Sequence, residues 1–144
     1  MTTARYDLPT PDETTDEYWA ATREGRLLIK SCRDCGRNHS YPRPFCPYCW
    51  SDAVEWVQTS GRATLYTFSI VRQNDLPPFR DWLPYVAAVV ELAEGPRLMT
   101  NVVHCPIEDV HIGMALEVTV RDTEEFAIPV FQPVPVAGPA SLDD

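Results

Sequence analysis

No apolar run in this 144-residue chain is long enough to cross a bilayer, so a membrane-spanning helix is not expected. The opening stretch MTTARYDLPTPDETTDEYW has neither the basic nor the apolar region of a secretory signal, which points to the cytoplasm. Positive charge is short: 12 Lys and Arg face 21 Asp and Glu, for a net charge of −9. A general nucleic-acid binder needs a basic footprint, and this balance disfavours one. Glycine is sparse, with six dispersed residues and no phosphate-cradling loop among them. Histidine is sparser still. His39, His104 and His111 are the three, and none sits in a recognisable catalytic motif. A nucleophile needs a base within reach, usually oriented by a third group, so independent catalysis is not expected. Glu108-Asp109 reads as a solvated turn rather than an acid/base pair.

Cysteine is also limited to five residues, but four of them are placed with purpose. Residues 32–49 read CRDCGRNHSYPRPFCPYC, two Cys-x-x-Cys pairs separated by ten residues. Each pair can form a tight knuckle, and Cys32, Cys35, Cys46 and Cys49 together offer the four thiolates of a closed structural zinc site. Gly36 follows the first pair where a knuckle needs positive φ, Pro47 stiffens the second, and Pro42 and Pro44 favour an extended return between them. His39 could replace a ligand, yet four well-spaced thiols leave it no vacancy. A redox role for one pair is the weaker reading, because two pairs at this spacing favour metal. One zinc ion, structural rather than catalytic, is expected. Four thiols set for zinc suggest a reducing compartment, and Cys105 is expected to be a small buried apolar residue.

In chain order, residues 1–25 read as an arm and a short helix. Thr15 or Asp16 would cap it, Gly25 would end it, and Tyr18, Trp19 and Thr22 would share a side. Residues 26–57 read as the ribbon: Arg26–Ser31 as a strand entering the first knuckle, and Trp50 and Trp56 as cover for the metal module. Residues 58–133 turn to β patterning. Ala63–Arg72 alternates, with Leu65, Thr67, Ser69 and Val71 on one face and Tyr66, Phe68 and Ile70 on the other. Tyr85–Leu92, Arg97–Val103 after the turn Glu94-Gly95-Pro96, Ala115–Arg121 and Phe126–Phe131 complete five strands, with Pro129 expected at an edge or bulge. The chain is therefore expected to be mainly β, an N-terminal helix and rubredoxin-like zinc ribbon followed by a five-stranded OB-fold barrel. Residues 134–144 read as a loose tail.

Two features exceed what such a scaffold needs. Residues 73–84 (QNDLPPFRDWLP) form a long connection rich in apolar bulk. Leu76, Phe79 and Trp82 would either fold onto the barrel or contact a partner or ligand. Six of the twelve basic residues lie in 23–43: Arg23, Arg26, Lys30, Arg33, Arg37 and Arg43. They balance the dianionic metal centre or present guanidinium forks to phosphates. Coenzyme A or single-stranded nucleic acid would suit such a surface. Arg26 and Lys30, an even step apart on a strand, can share a face that Arg37 and Arg43 could join.

A helix, then CRDCG…PRPFCPYC, PYVAAVVELAEGPRLMTNVV, IGMALEVTV and IPVFQPV over about residues 13–133 resembles the DUF35 family of acyl-CoA-associated zinc-ribbon/OB-fold proteins. The resemblance implies a subunit that partners a thiolase-superfamily enzyme, expected here to be a lipid-transfer-protein-like aldolase of steroid side-chain degradation, in a heterotetramer of two plus two chains. The partner would carry the reactive residues, and this chain would support assembly and help bind the acyl-CoA. A Claisen-type thiolase or an enoyl-CoA hydratase is the alternative partner. A single-strand nucleic-acid module is the rival class, since OB barrels and ribbons both serve there. On this reading Arg26, Lys30, Arg37 and Arg43 are candidates for coenzyme A phosphates, and Leu76, Phe79 and Trp82 for a partner or tunnel loop.

Overall fold

The structure, a computed structural model, describes residues 8–135. Most of the expected N-terminal arm and the expected tail beyond residue 135 lie outside the described residues. The order is helix α1 (Asp16–Arg23), strands β1 (Leu28–Cys32), β2 (Asn38–His39), β3 (Val54–Gln58), β4 (Arg62–Val71), β5 (Tyr85–Leu92), β6 (Arg97–Val102), β7 (Ala115–Asp122) and β8 (Ala127–Pro133). Single 3-10 turns fall at Phe79–Trp82 and Ile107–Asp109.

Helix α1 is short, and its ends explain why. At the start, Thr15 holds the cap position without a side-chain cap bond, and Asp12 instead accepts from the amides of Thr14 (2.9 Å) and Thr15 (3.1 Å). At the end, Gly25 takes φ 79°, the Gly25 amide donates to Thr22 O and the Arg26 amide to Ala21 O. That pair of bonds is a Schellman closure, which favours glycine at the left-handed position. It also draws Arg26 into the helix terminus, so β1 begins at Leu28 rather than Arg26.

The ribbon is a three-stranded sheet in the order β2-β1-β3. The remaining five strands close a barrel in the order β4-β5-β6-β8-β7, antiparallel throughout except for a parallel bridge, Val102 to Phe131, between β6 and β8. This is the five-stranded OB arrangement. Closure removes sheet edges that would otherwise pair with other chains.

One expectation needs correction. The β4–β5 register shifts between Leu65 and Thr67, so strict alternation does not persist along β4. Ala63 and Leu65 are buried before the bulge, while Phe68 and Ile70 pack on the core after it. A bulge adds one residue on one strand and so exchanges the two faces. Pro129 keeps unbroken register with β7, from Leu116–Pro133 to Asp122–Ala127, while its other side lies outside the single Val102–Phe131 bridge to β6, an edge position as expected.

Val90, Leu116 and Phe131 at the barrel centre have no exposed surface. Burying side chains of this size contributes about 1.5–3 kcal/mol each. Leu27 and Ile29, from the ribbon side, belong to the same buried cluster. Thr59 donates through its amide (2.9 Å) and hydroxyl (3.0 Å) to Leu27 O, and Asn38 and Ser40 donate to the carbonyls of Glu94 and Arg97. The ribbon therefore sits against the barrel along its β5–β6 turn. Helix α1 spans the junction, with Tyr18 on Trp56, Trp19 edge-on to Phe126 and Arg23 donating to Glu125 O.

Candidate functional site

The two knuckles repeat one backbone device. Gly36 N–H donates to Cys32 O and Trp50 N–H to Cys46 O, both at 2.9 Å, with φ of 75° at Gly36 and 68° at Trp50. Each turn brings its sulfurs inward. The Sγ atoms of Cys32, Cys35, Cys46 and Cys49 lie within 4.8 Å of one another, with 3.6 Å between Cys32 and Cys49 and between Cys35 and Cys46. A tetrahedral ion with Zn–S of about 2.3 Å sets its sulfurs about 3.8 Å apart, so the donor set fits zinc, and the sulfurs are too far apart for disulfides. Amides of Cys35 and Tyr48 point at the sulfurs of Cys32 and Cys46 (3.5 and 3.4 Å). The thiols push one another apart: the Cys35 amide is the largest influence lowering the Cys32 thiol to about 7, while at Cys49, against the lowering Ser51 amide, burial and the neighbouring sulfurs push the thiol up to about 12. The Ser51 hydroxyl donates to Asp34, tying the knuckles together.

Trp50 is not the expected cover. It is 75% exposed and stacks on Phe45 at 5.3 Å. Trp56 does cover the sheet, packed beside Tyr18 and under the Lys30 ammonium at 4.1 Å. Cys105 is half-buried rather than buried. Its thiol donates to Pro106 O, and burial raises its pKa.

The basic candidates divide. Arg26 pairs with Glu24 at 3.1 Å at the helix terminus, and Lys30 lies over Trp56, so the even-step argument does not gather them. Arg37 lies over the Tyr48 ring at 4.8 Å, and Arg43 lines a cavity that Tyr48 also lines. Tyr48 thus lies under Arg37 and lines the same cavity as Arg43, and no local pattern marked it.

The long connection is partly pinned. Asn74 donates to the Tyr85 hydroxyl (3.1 Å), and Trp82 packs edge-on against Phe79 and Tyr85. The Arg121 guanidinium lies over Trp82 at 4.0 Å and donates to Asn101 Oδ1 at 2.8 Å, while Asn101 donates to Val86 O. Phe79 and Trp82 are half-buried, and Leu76 is 51% exposed. Arg121 and Asn101 were invisible to sequence reasoning, because only barrel closure brings them to Trp82. Below them a cavity of about 410 Å³ is lined by Trp82, Tyr85, Asn101, His104, Cys105 and Arg121, among others. His104 shares a hydrogen bond with Gln132 (2.7 Å), and His111 with Asp109 O (2.9 Å). Neither ring is set against a nucleophile among the described residues. No helix of the described residues is long and apolar enough to cross a membrane.

Family models of ChsH2 match this chain in two parts: its rubredoxin-like zinc ribbon domain over residues 19–55 and its C-terminal OB-fold domain over residues 56–121. A DUF35 domain-containing scaffold protein of Methanocaldococcus jannaschii is 34% identical over 116 residues, covering 79% of this chain and 82% of that protein. A probable enoyl-CoA hydratase alpha subunit of Thermomonospora curvata is 34% identical over 117 residues, 81% of this chain but only 36% of the relative, so the chain spans about a third of that protein. Among solved structures, a chain described as an Ltp2-ChsH2(DUF35) aldolase superposes with a TM-score of 0.78 at 31% identity, covering 88% of this chain and 98% of that one. With ribbon, barrel and sequence all in agreement, the chain belongs to the DUF35 family of zinc-ribbon/OB-fold scaffold proteins.

Proposed function

We propose that the chain is the non-catalytic subunit of a complex with a thiolase-superfamily enzyme, a lipid-transfer-protein-like aldolase, and that it helps bind the acyl-CoA. The likeness to the DUF35 chain of an Ltp2-ChsH2 aldolase, over nearly all of that chain, carries this reading. The partner's reaction would be the retro-aldol cleavage of a β-hydroxyacyl-CoA from steroid side-chain degradation. The β-hydroxyl loses its proton, the Cα–Cβ bond breaks to give a carbonyl product, and the thioester enolate takes a proton at Cα. The groups for those transfers would come from the partner. This chain would supply a metal-stiffened ribbon, arginines for the coenzyme A phosphates and an apolar loop toward the partner or its tunnel. Arg43 is the first candidate for phosphate, since Arg26 pairs with Glu24 and Lys30 and Arg37 lie over Trp56 and Tyr48. Free thiols set for zinc suit a reducing cytoplasm.

Co-expression with a lipid-transfer-protein-like aldolase, followed by native mass analysis, tests the assembly. A four-chain species of two plus two is expected, while separate elution of the two proteins would refute it. Phe79→Ala and Trp82→Ala should weaken association while the barrel stays folded by circular dichroism. Normal association with much earlier melting would make the loop simply core. The Thermomonospora curvata relative favours a second reading, in which the partner is an enoyl-CoA hydratase. The same co-purification with hydratase chains distinguishes it. A single-strand DNA titration, expected to be negative at a net charge of −9, tests the nucleic-acid class.

A further inference from the structure

We propose that the cavity below Trp82 is a site for an apolar alcohol, whose hydroxyl donates to Nε2 of His104. The cavity, of about 410 Å³, has apolar walls in Trp82, Val86, Val102 and Ile107, and His104 lines it with them. Apolar walls with a few polar groups, in a space of about 300–1,000 Å³, are what a small-molecule ligand needs. His104 is held there against its backbone preference. Its φ of 57° is left-handed, a conformation that costs a side-chain-bearing residue about 1–2 kcal/mol.

The hydrogen bonds behind His104 fix which nitrogen carries the proton. The Glu117 carboxylate accepts from Gln132 Nε2 at 3.1 Å, which turns the Gln132 oxygen toward His104. An amide oxygen only accepts, so the 2.7 Å bond to His104 Nδ1 requires Nδ1–H. In the neutral imidazole Nε2 is then a bare acceptor, and it has no partner among the described residues. The polar neighbours are committed. The Asn101 amide donates to Val86 O and its oxygen accepts from Arg121, while the Cys105 thiol donates to Pro106 O. The Tyr85 hydroxyl accepts from Asn74 and keeps its own hydrogen, which an alcohol and a ketone can both accept. Nε2 takes a hydrogen bond from an alcohol and none from a ketone, so His104 sets the class of ligand, with Gln132 and Glu117 positioning it. On the function proposed above, the ligand is the β-hydroxyacyl group. Cleavage turns that hydroxyl into a carbonyl with no proton for Nε2, so the site holds substrate and lets the product go.

That the alcohol is the acyl group of a thioester rests on that function; the site itself does not. The full-length, metal-loaded chain is titrated by calorimetry with testosterone and with its 17-ketone, androstenedione, which differ in that one group. The histidine tautomers are read by ¹⁵N NMR. The expected result is an alcohol that binds about fivefold or more tightly than the ketone, and a His104 signal with Nδ1–H and bare Nε2 that moves on binding. Asn tolerates left-handed backbone and offers both a donor and an acceptor, so His104→Asn should abolish the preference. Gln132→Leu should mix the tautomers and shrink it. No saturable binding of the alcohol, equal binding of the two steroids, a preference kept in His104→Asn, or an Nε2–H tautomer overturns the site. In the aldolase complex, His104→Asn should raise the KM for the β-hydroxyacyl-CoA about fivefold. An unchanged KM, with the alcohol preference intact on the isolated chain, overturns the acyl group as the ligand. Separate elution of chain and aldolase while that preference persists refutes the proposed function and leaves the site.

Discussion

The ribbon and the barrel are both small β structures, yet their interiors are made of different matter. The ribbon's sheet includes a two-residue strand, and the side chains that meet between its knuckles are four sulfurs. The barrel is filled with aliphatic and aromatic carbon around Val90, Leu116 and Phe131. A sulfur cluster coheres only around a cation, while a hydrocarbon core coheres because water is excluded. Two neighbouring parts of one chain should therefore fail under different insults.

The sharpest separation comes from the metal. Chelation, or Cys46→Ser, should remove zinc and loosen the ribbon while barrel amides stay protected from exchange. In isolated zinc-finger peptides such binding is worth about 10 kcal/mol or more. Elemental analysis and hydrogen exchange together check this, and a native protein that carries no metal would break the comparison. Phe131→Ala should act the other way, costing about 3–5 kcal/mol in denaturant melts while the zinc content stays at one per chain.

A smaller effect belongs to the join. Gly61 has φ 82°, and a Cβ there would lie 2.7 Å from Val118 Cγ1. Its amide reaches Thr59, whose hydroxyl holds Leu27 O, and its carbonyl accepts the Val118 amide. Gly61→Ala should cost about 1–3 kcal/mol and couple the two transitions more weakly, visible as two steps in a thermal melt. The smallest effect is in pH. Burial, and then Tyr41, raises the Tyr18 hydroxyl from 10.0 to about 12. The unfolded chain loses this proton first, so the contribution of Tyr18 is intact below pH 10 and fades as pH rises toward 12. Tyr18→Phe should flatten that stretch of the stability curve relative to wild type.

The same contrast governs what could be read from sequence. The convergence of the four cysteines was legible because knuckle chemistry is local: Cys-x-x-Cys brings its sulfurs together within a few residues. The five barrel strands were legible from alternation and turns such as Glu94-Gly95-Pro96. The β4 faces were not, because a bulge depends on the partner strand and leaves no mark in composition. The environment of Trp82 was hidden for a similar reason, since Arg121 and Asn101 meet it only after the barrel closes. Arg26 misled because the helix-ending bond to Ala21 O outranks a favourable strand pattern. Trp50 misled because aromatic character predicts burial, whereas its place in the turn sets its direction.

That place has a kinetic consequence. Trp50 occupies the left-handed position that Gly36 fills in the first knuckle, a conformation costing a side-chain-bearing residue about 1–2 kcal/mol. While the ion is bound, four bonds hold both turns closed. Once it begins to leave, the strained turn has less reason to stay shut than its glycine twin. The two halves of the site should then let go in order, Cys46 and Cys49 ahead of Cys32 and Cys35. Timed alkylation during chelation, read by peptide mass, would show that order, and Trp50→Gly should abolish it.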